Sequence, residues 1–269
     1  MSSQVALVFI VPTLNSMQLL PRLITSFKVQ TYNNWRVLFI DGNSSKDNIK
    51  FLKNEMNSDS RFSYIPQPLE SIGIYQAMSY GSNLITINEW VFFIGSDDWL
   101  SSPFALEKTA NIINENISKS INIFIFGAKY FSASLKPKRT FTLPRTGAIS
   151  GKEFSRMLHR GFIPTHQASC YSYKMIKSLM PYSSSYRLAA DCEAFFRISK
   201  NNLSSIFCEN ISPINILAGG ISSKQTIRRF AEVIRLYKKY FPRSFIIPII
   251  LRYFRKIALL RKNFRKFSR

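Results

Sequence analysis

The sequence predicts an α/β domain with a mainly parallel central sheet flanked by helices, followed by a C-terminal basic amphipathic helical tail. Three observations carry this. Short apolar runs alternate with helical periodicity through the first half, the pattern of βαβ units around a parallel sheet. Two of those runs end directly on carboxylates. Cations accumulate in the last stretch of the chain.

Residues 5–11 form an unbroken apolar run stopped by Pro12 and lacking a basic flank, a buried first strand and not a signal peptide. Leu20, Leu23, Ile24 and Phe27 then recur at helical spacing. Residues 35–40 read as the second strand, ending at Asp41; Ile49, Leu52 and Met56 mark a helix, and residues 61–65 a short third strand. A helix over 74–84 leads to the fourth strand, 90–94, which runs into Gly95-Ser96-Asp97-Asp98. The second half is more irregular. It offers a strand at 121–126, a Pro- and Lys-containing segment at 135–144, a helix near 153–158, a strand near 167–173 and a helical stretch over 187–198.

A chain of 269 residues, 46% hydrophobic, can bury a substantial core. Its 37 basic and 15 acidic residues give +22, which calls for a polyanionic partner, nucleic acid or an anionic lipid surface. From 224 to 269 there are 15 Lys and Arg against the single acid Glu232, or +14; the other 22 basic and 14 acidic residues leave +8 for everything before. We therefore divide the chain at 225/226, with an α/β domain over 1–225 and a basic amphipathic helical tail, suited to a membrane surface, over 226–269. Cys170, Cys192 and Cys208 are odd in number and show no CxxC spacing, so neither a disulfide framework nor a zinc site is indicated. No run reaches the roughly 20 apolar residues that span a bilayer.

Two adjacent carboxylates at the mouth of a buried strand need a positive partner. A divalent cation, Mg²⁺ or Mn²⁺, would join Asp97 and Asp98 to a nucleotide diphosphate. The same residues also suit a strand-ending turn. Asp41-Gly42-Asn43-Ser44-Ser45 suits a base or ribose, or a helix N-cap, and Pro12-Thr13-Leu14-Asn15 ends the first strand similarly. In a parallel sheet these strand ends meet on one rim, where open α/β sheets bind ligands.

Taken together, Val11-Pro12-Thr13-Leu14-Asn15, Asp41-Gly42-Asn43-Ser44, Gly73-Ile74-Tyr75-Gln76-Ala77-Met78 and Ser96-Asp97-Asp98 resemble the family 2 glycosyltransferases of the GT-A fold. His166-Gln167-Ala168 and the stretch from Leu188 through Asp191 to Arg197 are similar to that family's acceptor-side segments, and the resemblance spans roughly 5–222. It implies inverting transfer from a nucleotide-diphosphate sugar, such as a UDP-sugar, with Asp191 as the base that takes the acceptor proton. It also implies Asp97 and Asp98 at a divalent metal, with Pro12, Thr13, Asn15, Asp41, Gly73, Tyr75, Ser96, Asp97, His166, Gln167 and Arg197 around the substrates. Gly95 stands where many members carry the first Asp of Asp-x-Asp, Asp47 falls one residue later than the common spacing, and Gln76 replaces a frequent Asp. Gly219-Gly220-Ile221-Ser222 reads as a loop over the donor or a plain connection.

In the tail, Ile227, Phe230, Ile234, Tyr237 and Phe241 recur at helical spacing beside cations, and residues 245–251 are strongly apolar. Such a segment lies flat in an anionic bilayer interface or packs on its own domain. The resulting expectation is a bacterial enzyme peripheral on the cytoplasmic face of the cell membrane. Its partners are a nucleotide-sugar donor and a lipid-linked or glycan acceptor of surface polysaccharide or lipopolysaccharide synthesis, with no nucleic acid. Two other classes fit less well: a nucleic-acid-binding protein with a silent α/β domain, and a sugar nucleotidyltransferase, whose Gly-rich turn after the first strand is absent.

Overall fold

The computed structural model describes residues 4–201, 205–219 and 225–254. The apolar runs of the first half become strands buried on both faces. β1 (Ala6–Thr13) and β2 (Trp35–Asp41) pair in parallel from Leu7–Trp35 to Thr13–Asp41, which puts Thr13 beside Asp41. β3 (Phe62–Pro66) continues outward from β2, and β4 (Glu89–Phe93) lies on the other side of β1. Helices α1 (Leu20–Lys28), α2 (Lys46–Ser58) and α3 (Ile74–Gly81) connect them. A two-residue strand β5 (Trp99–Leu100) and α4 (Ala105–Asn116) follow.

The second half adds β6 (Ile123–Phe126), β7 (Ala128–Phe131), β8 (Pro137–Phe141), β9 (Gly147–Ser150), β10 (Ser169–Ser172), β11 (Ser205–Glu209) and β12 (Ile214–Leu217). Its helices are α5 (Gly151–His159), α6 (Tyr173–Leu179), α7 (Ala190–Ile198) and α8 (Thr226–Tyr240). The larger sheet has eight strands in the order β3-β2-β1-β4-β10-β6-β11-β9; β5-β12-β7-β8 form a second sheet of four. The mainly parallel expectation is corrected to a mixed sheet. β10 runs antiparallel between β4 and β6, and β9 closes the far edge antiparallel to β11. The strand expected over 167–173 is a 3₁₀ turn (His166–Ala168), then β10, with Tyr173 already opening α6. The 135–144 segment, expected to be irregular, contains β8.

The two sheet faces carry separate cores, because successive strand residues point to opposite sides. Val8 and Ile10 of β1 face a cluster with α3, α5, α6 and α7, while Leu7, Phe9 and Val11 face α1 and α4. Phe9 stacks on Phe92 at 5.1 Å and meets Phe27 edge-on at 4.8 Å. Burying each such ring stabilises the fold by about 1.5–3 kcal/mol. α5 begins with a capping box, in which Ser150 Oγ accepts from the Glu153 N–H at 3.3 Å and the Glu153 carboxylate accepts from the Ser150 N–H at 2.9 Å.

The expected boundary at 225/226 does not separate two packing units. Val233, Leu236 and Tyr237 of α8 are buried in the core that α7 lines, and the Tyr237 hydroxyl donates to the Leu158 carbonyl at 3.3 Å. The apolar side of α8 thus seats in the domain. Residues 246–254 form another helical segment, whose Phe245 and Ile249 side also meets that core. Of the loop expected at Gly219-Gly220-Ile221-Ser222 only Gly219 is described, and the tail beyond 254 lies outside the described residues.

Candidate active site

Three strand ends are tied together by short polar side chains. Asp41 is fully buried: its Oδ1 accepts from the Thr13 hydroxyl at 3.0 Å and the Ser44 hydroxyl at 2.6 Å, and its Oδ2 from the Ser44 N–H at 2.9 Å. Asn15, exposed and in the left-handed region at φ 50°, donates its N–H to Ser44 Oγ at 2.8 Å and accepts from the Ser45 N–H at 2.9 Å. Ser96 bonds Ser16 at 3.1 Å, joining the β4 end to the β1 end. From β3, Gln67 donates its N–H to the Asp41 carbonyl at 2.8 Å and its side-chain amide to the Gly73 carbonyl at 3.1 Å, holding the loop that enters α3. Asp41 and Thr13, at 0% and 4% exposure, therefore work by shaping this rim. Pro12, Asn15, Ser96 and Gly73 are the members that reach the surface.

At the β4 end the two carboxylates divide. Asp98 is 1% exposed, and both its oxygens are committed to backbone: Oδ2 accepts from the Gly95 N–H at 2.8 Å, Oδ1 from the Leu217 N–H at 3.2 Å. Burial, then the neighbouring Asp97 charge, pushes Asp98 up to about 8. Asp97 is half-buried, and burial raises it while Arg22 opposes the rise. The Arg22 guanidinium lies 4.1 Å over Trp99 and donates to the Asp97 carbonyl at 2.6 Å. A side chain at Gly95 would put its Cβ 2.6 Å from Asp97 Oδ1 and 3.0 Å from Asp98 Oδ2. Both carboxylates thus occupy the room that an aspartate at 95 would take.

This arrangement offers a divalent cation one protein ligand, Asp97. Asp98 holds the turn through its two backbone hydrogen bonds, and among the described residues no group of three or more His, Cys, Asp or Glu could hold a metal ion. That is adequate for Mg²⁺ or Mn²⁺, which bind through one or two carboxylates and complete their shells with substrate phosphates and water.

Tyr75 in the first turn of α3 donates its hydroxyl to Asp191 Oδ1, in the first turn of α7, at 3.0 Å. Residues separated by 116 positions meet there. His166 is buried between Phe93, 5.2 Å away, and Tyr182, whose hydroxyl it bonds. Burial pushes its imidazole down to about 4, against the raising effect of Asp191, so it is neutral at physiological pH. His166 sits behind the site as a core residue, with Gln167 half-buried beside it. The Thr165 hydroxyl bonds Tyr130 at 2.9 Å, and Tyr130 is close enough to Asp98 to feel its charge, linking the two sides. Arg197 does not join this cluster: it pairs with buried Glu193 at 2.7 Å and donates to the Leu179 carbonyl at 2.6 Å. Arg22, Gln67, Tyr130 and Tyr182 escaped sequence reading because their roles depend on partners distant in the chain. Trp99 beside the Asp pair was the one local signal for Arg22.

Residues 8–180 match the model of Glycosyl transferase family 2. A glycosyltransferase of PGL/p-HBAD biosynthesis from Mycobacterium tuberculosis is 26% identical over 192 residues, covering 71% of this chain and 69% of its own; the Mycobacterium bovis counterpart matches equally. Among solved structures, S. aureus TarS 1–349 in complex with UDP superposes with a TM-score of 0.63 at 16% identity, over 86% of this chain and 64% of that one. The chain thus spans just under two thirds of that TarS structure. The mannosyltransferase PcManGT from Pyrobaculum calidifontis, in complex with GDP-Man and Mn²⁺, gives 0.60 at 13% identity, over 92% and 69%. These likenesses establish a GT-A-like fold with a large mixed sheet flanked by helices. The protein is a glycosyltransferase, and it belongs to glycosyl transferase family 2.

Proposed function

We propose that the chain transfers a sugar, with inversion, from a nucleotide-diphosphate sugar to a hydroxyl of a lipid-linked or glycan acceptor at the inner face of the bacterial membrane. The observation that carries this reading is the hydrogen bond from Tyr75 to Asp191, Tyr75 standing in the first turn of the helix that Gln67 ties through Gly73 to the Asp41 strand end. In the reaction Asp191 takes the acceptor's hydroxyl proton as that oxygen forms its bond to the anomeric carbon. The bond from that carbon to the diphosphate oxygen breaks, and nucleoside diphosphate leaves. Tyr75 holds the carboxylate in place, so geometry governs the step more than basicity. Asn15, Ser96 and Gly73 line the donor side on loops fixed by Asp41, Thr13 and Gln67. A divalent cation held by Asp97 and the donor phosphates would neutralise the leaving group. Similar folds were solved with UDP, UDP-GlcNAc and GDP-Man, which supports a nucleotide-diphosphate sugar as donor, and a UDP-sugar is the first to test.

Membrane association has support in the 246–254 segment. Ile246, Ile247, Ile250, Leu251 and Phe254 are 56%, 51%, 59%, 37% and 70% exposed on the side turned from the core. A contiguous apolar stripe beside basic sequence suits an anionic interface. Among the described residues no helix is long and apolar enough to cross a membrane.

The test is a screen of nucleotide sugars for binding and turnover with and without Mn²⁺ or Mg²⁺. Asp191→Asn is expected to bind donor normally and lose transfer, and Asp97→Asn to weaken donor binding; unchanged transfer by Asp191→Asn removes the base. Flotation with vesicles containing anionic lipid is expected to recover the protein at low salt and lose it at high salt. Recovery equal with purely zwitterionic vesicles argues against the surface.

A further inference from the structure

We infer that Arg22 of α1 is a positioning residue for donor binding: it clamps the backbone that carries Asp97 and leaves the Asp97 carboxylate to a divalent cation and the donor diphosphate. This rests on the reading of Asp97 as the donor-side metal ligand. Leu20, Leu23, Ile24 and Phe27 form the buried side of α1. Beside it stand Arg22 and Ser26, one helical turn apart, with Gln30 four residues further, just past the helix end. These three take hold of the chain after β4 in order. Arg22 Nη2 donates to the Asp97 carbonyl at 2.6 Å, Ser26 Oγ accepts from the Leu100 N–H at 3.0 Å, and the Gln30 side-chain amide donates to the Ser102 carbonyl at 2.8 Å. The segment they hold has only two residues of strand of its own, Trp99 and Leu100.

The Arg22 contact is the one at the carboxylate residue, and it is made at a cost. Its Nε is buried with no hydrogen-bond partner among the described residues, a desolvation penalty that the face of Trp99, 4.1 Å from the guanidinium, offsets in part. Trp99 is itself fixed, with Phe131 of β7 at 4.9 Å and Asn215 of β12 as its strand partner. Ring and carbonyl together set both the plane and the direction of the guanidinium.

No ion pair among the described residues includes Arg22. A guanidinium paired bidentately with the Asp97 carboxylate would fill the positions that a cation needs. Bonded to the carbonyl instead, it fixes the backbone and leaves the carboxylate oxygens to Mg²⁺ or Mn²⁺. Asp98 cannot take over, because its oxygens are held by the Gly95 and Leu217 N–H groups. Arg22 acts through Asp97 and touches neither sugar nor acceptor in this reading.

The experiment uses the full chain and isothermal titration calorimetry with UDP, with and without Mn²⁺, on wild type, Arg22→Met, Asp97→Asn and the double variant. Arg22→Met is expected to weaken Mn²⁺-dependent UDP binding at least about fivefold and to leave binding without Mn²⁺ within about twofold. In the Asp97→Asn background the same substitution is expected to change affinity less than about twofold, because a residue that acts through Asp97 has nothing left to position. Equal factors in the two backgrounds overturn the inference, as does tighter Mn²⁺-dependent binding by Arg22→Met, which makes Arg22 a competitor of the cation. Arg22→Lys keeps the charge without the planar fork; it runs the same cycle with about threefold weakening expected, and covers the case in which the methionine variant does not fold. The two failures are distinguishable. Wild type that binds neither UDP nor GDP better with Mn²⁺ or Mg²⁺ than without, or a metal response left intact in Asp97→Asn, removes the role of Asp97 and the inference with it. A metal response lost in Asp97→Asn but unchanged in Arg22→Met removes Arg22 alone.

Discussion

Replacing Glu232 with Gln tests how tightly the C-terminal helix is joined to the segment that carries Asp191. In the wild type the two carboxylate oxygens accept the Arg187 and Leu188 N–H groups at 3.2 and 2.9 Å in a setting 3% exposed. The amide has one oxygen to offer. It keeps the shorter bond to Leu188 as a neutral one, about half as strong, and turns an NH₂ toward the Arg187 N–H. Weakening one charge-assisted bond costs about 1 kcal/mol, and orphaning a buried donor about 1–3 kcal/mol, while removing a buried charge offsets part of both. The net expected loss is about 2 kcal/mol, or a fall of about 4–8 °C in melting temperature for a chain of this size. Thermal denaturation followed by circular dichroism measures it, and amide exchange locates it, with protection lost first at Arg187 and Leu188. Melting within about 1 °C of wild type, with exchange unchanged at those two amides, would falsify the claim that Glu232 anchors this segment.

Asp98 makes stability pH-dependent. Its folded-state value of about 8 lies above the ~4 of an unfolded aspartate, so the folded chain keeps a proton that the unfolded chain releases, and stability falls between those pH values and levels off above. Asp98→Asn gives up one acceptor oxygen but lacks that slope, so its melting deficit should be largest near pH 5 and narrow toward pH 8, read from melting temperatures on buffers spanning that range; parallel curves argue against a raised Asp98. Thr13→Val removes one of the three donors to buried Asp41 and should cost about 1–3 kcal/mol in urea denaturation, with Thr13→Ser close to wild type. Gly161→Ala should displace the 246–254 segment, because at φ +74° a Cβ would lie 2.6 Å from the Pro248 carbonyl oxygen and 2.7 Å from the Arg252 nitrogen. A loss of about 2 kcal/mol or more, together with altered vesicle flotation, is the expected outcome, and a variant that melts like wild type rules that packing out.

The donor half of the fold was legible because its strands are continuous apolar runs that stop at polar residues. β1, β2 and β4 fall within a residue or two of the runs at 5–11, 35–40 and 90–94. The second half was less so. β5 is two residues long, β8 is polar and largely exposed, and the 167–173 run covers a 3₁₀ turn, a strand and a helix start. Periodicity has no purchase on pieces that short. For the site, sequence located carboxylates at strand ends but not which way they turn. Asp98 is claimed by the N–H of Leu217, 119 residues later, and Asp41 by Thr13 and Ser44. Glu232 was hidden in a basic helix, where nothing local marks which side chain faces inward.

The reversed strand β10 has a consequence for how such a protein diversifies. Because it runs against β4, the residues just before it, Thr165 to Ala168, arrive at the edge from which the loops after β1, β2 and β4 depart. One set of loops leaves the sheet there and a different stretch of chain enters. The departing loops can change in length without shifting the pairing of β10, whereas the entering stretch is held by its own burial, so this edge combines a variable contribution with a fixed one.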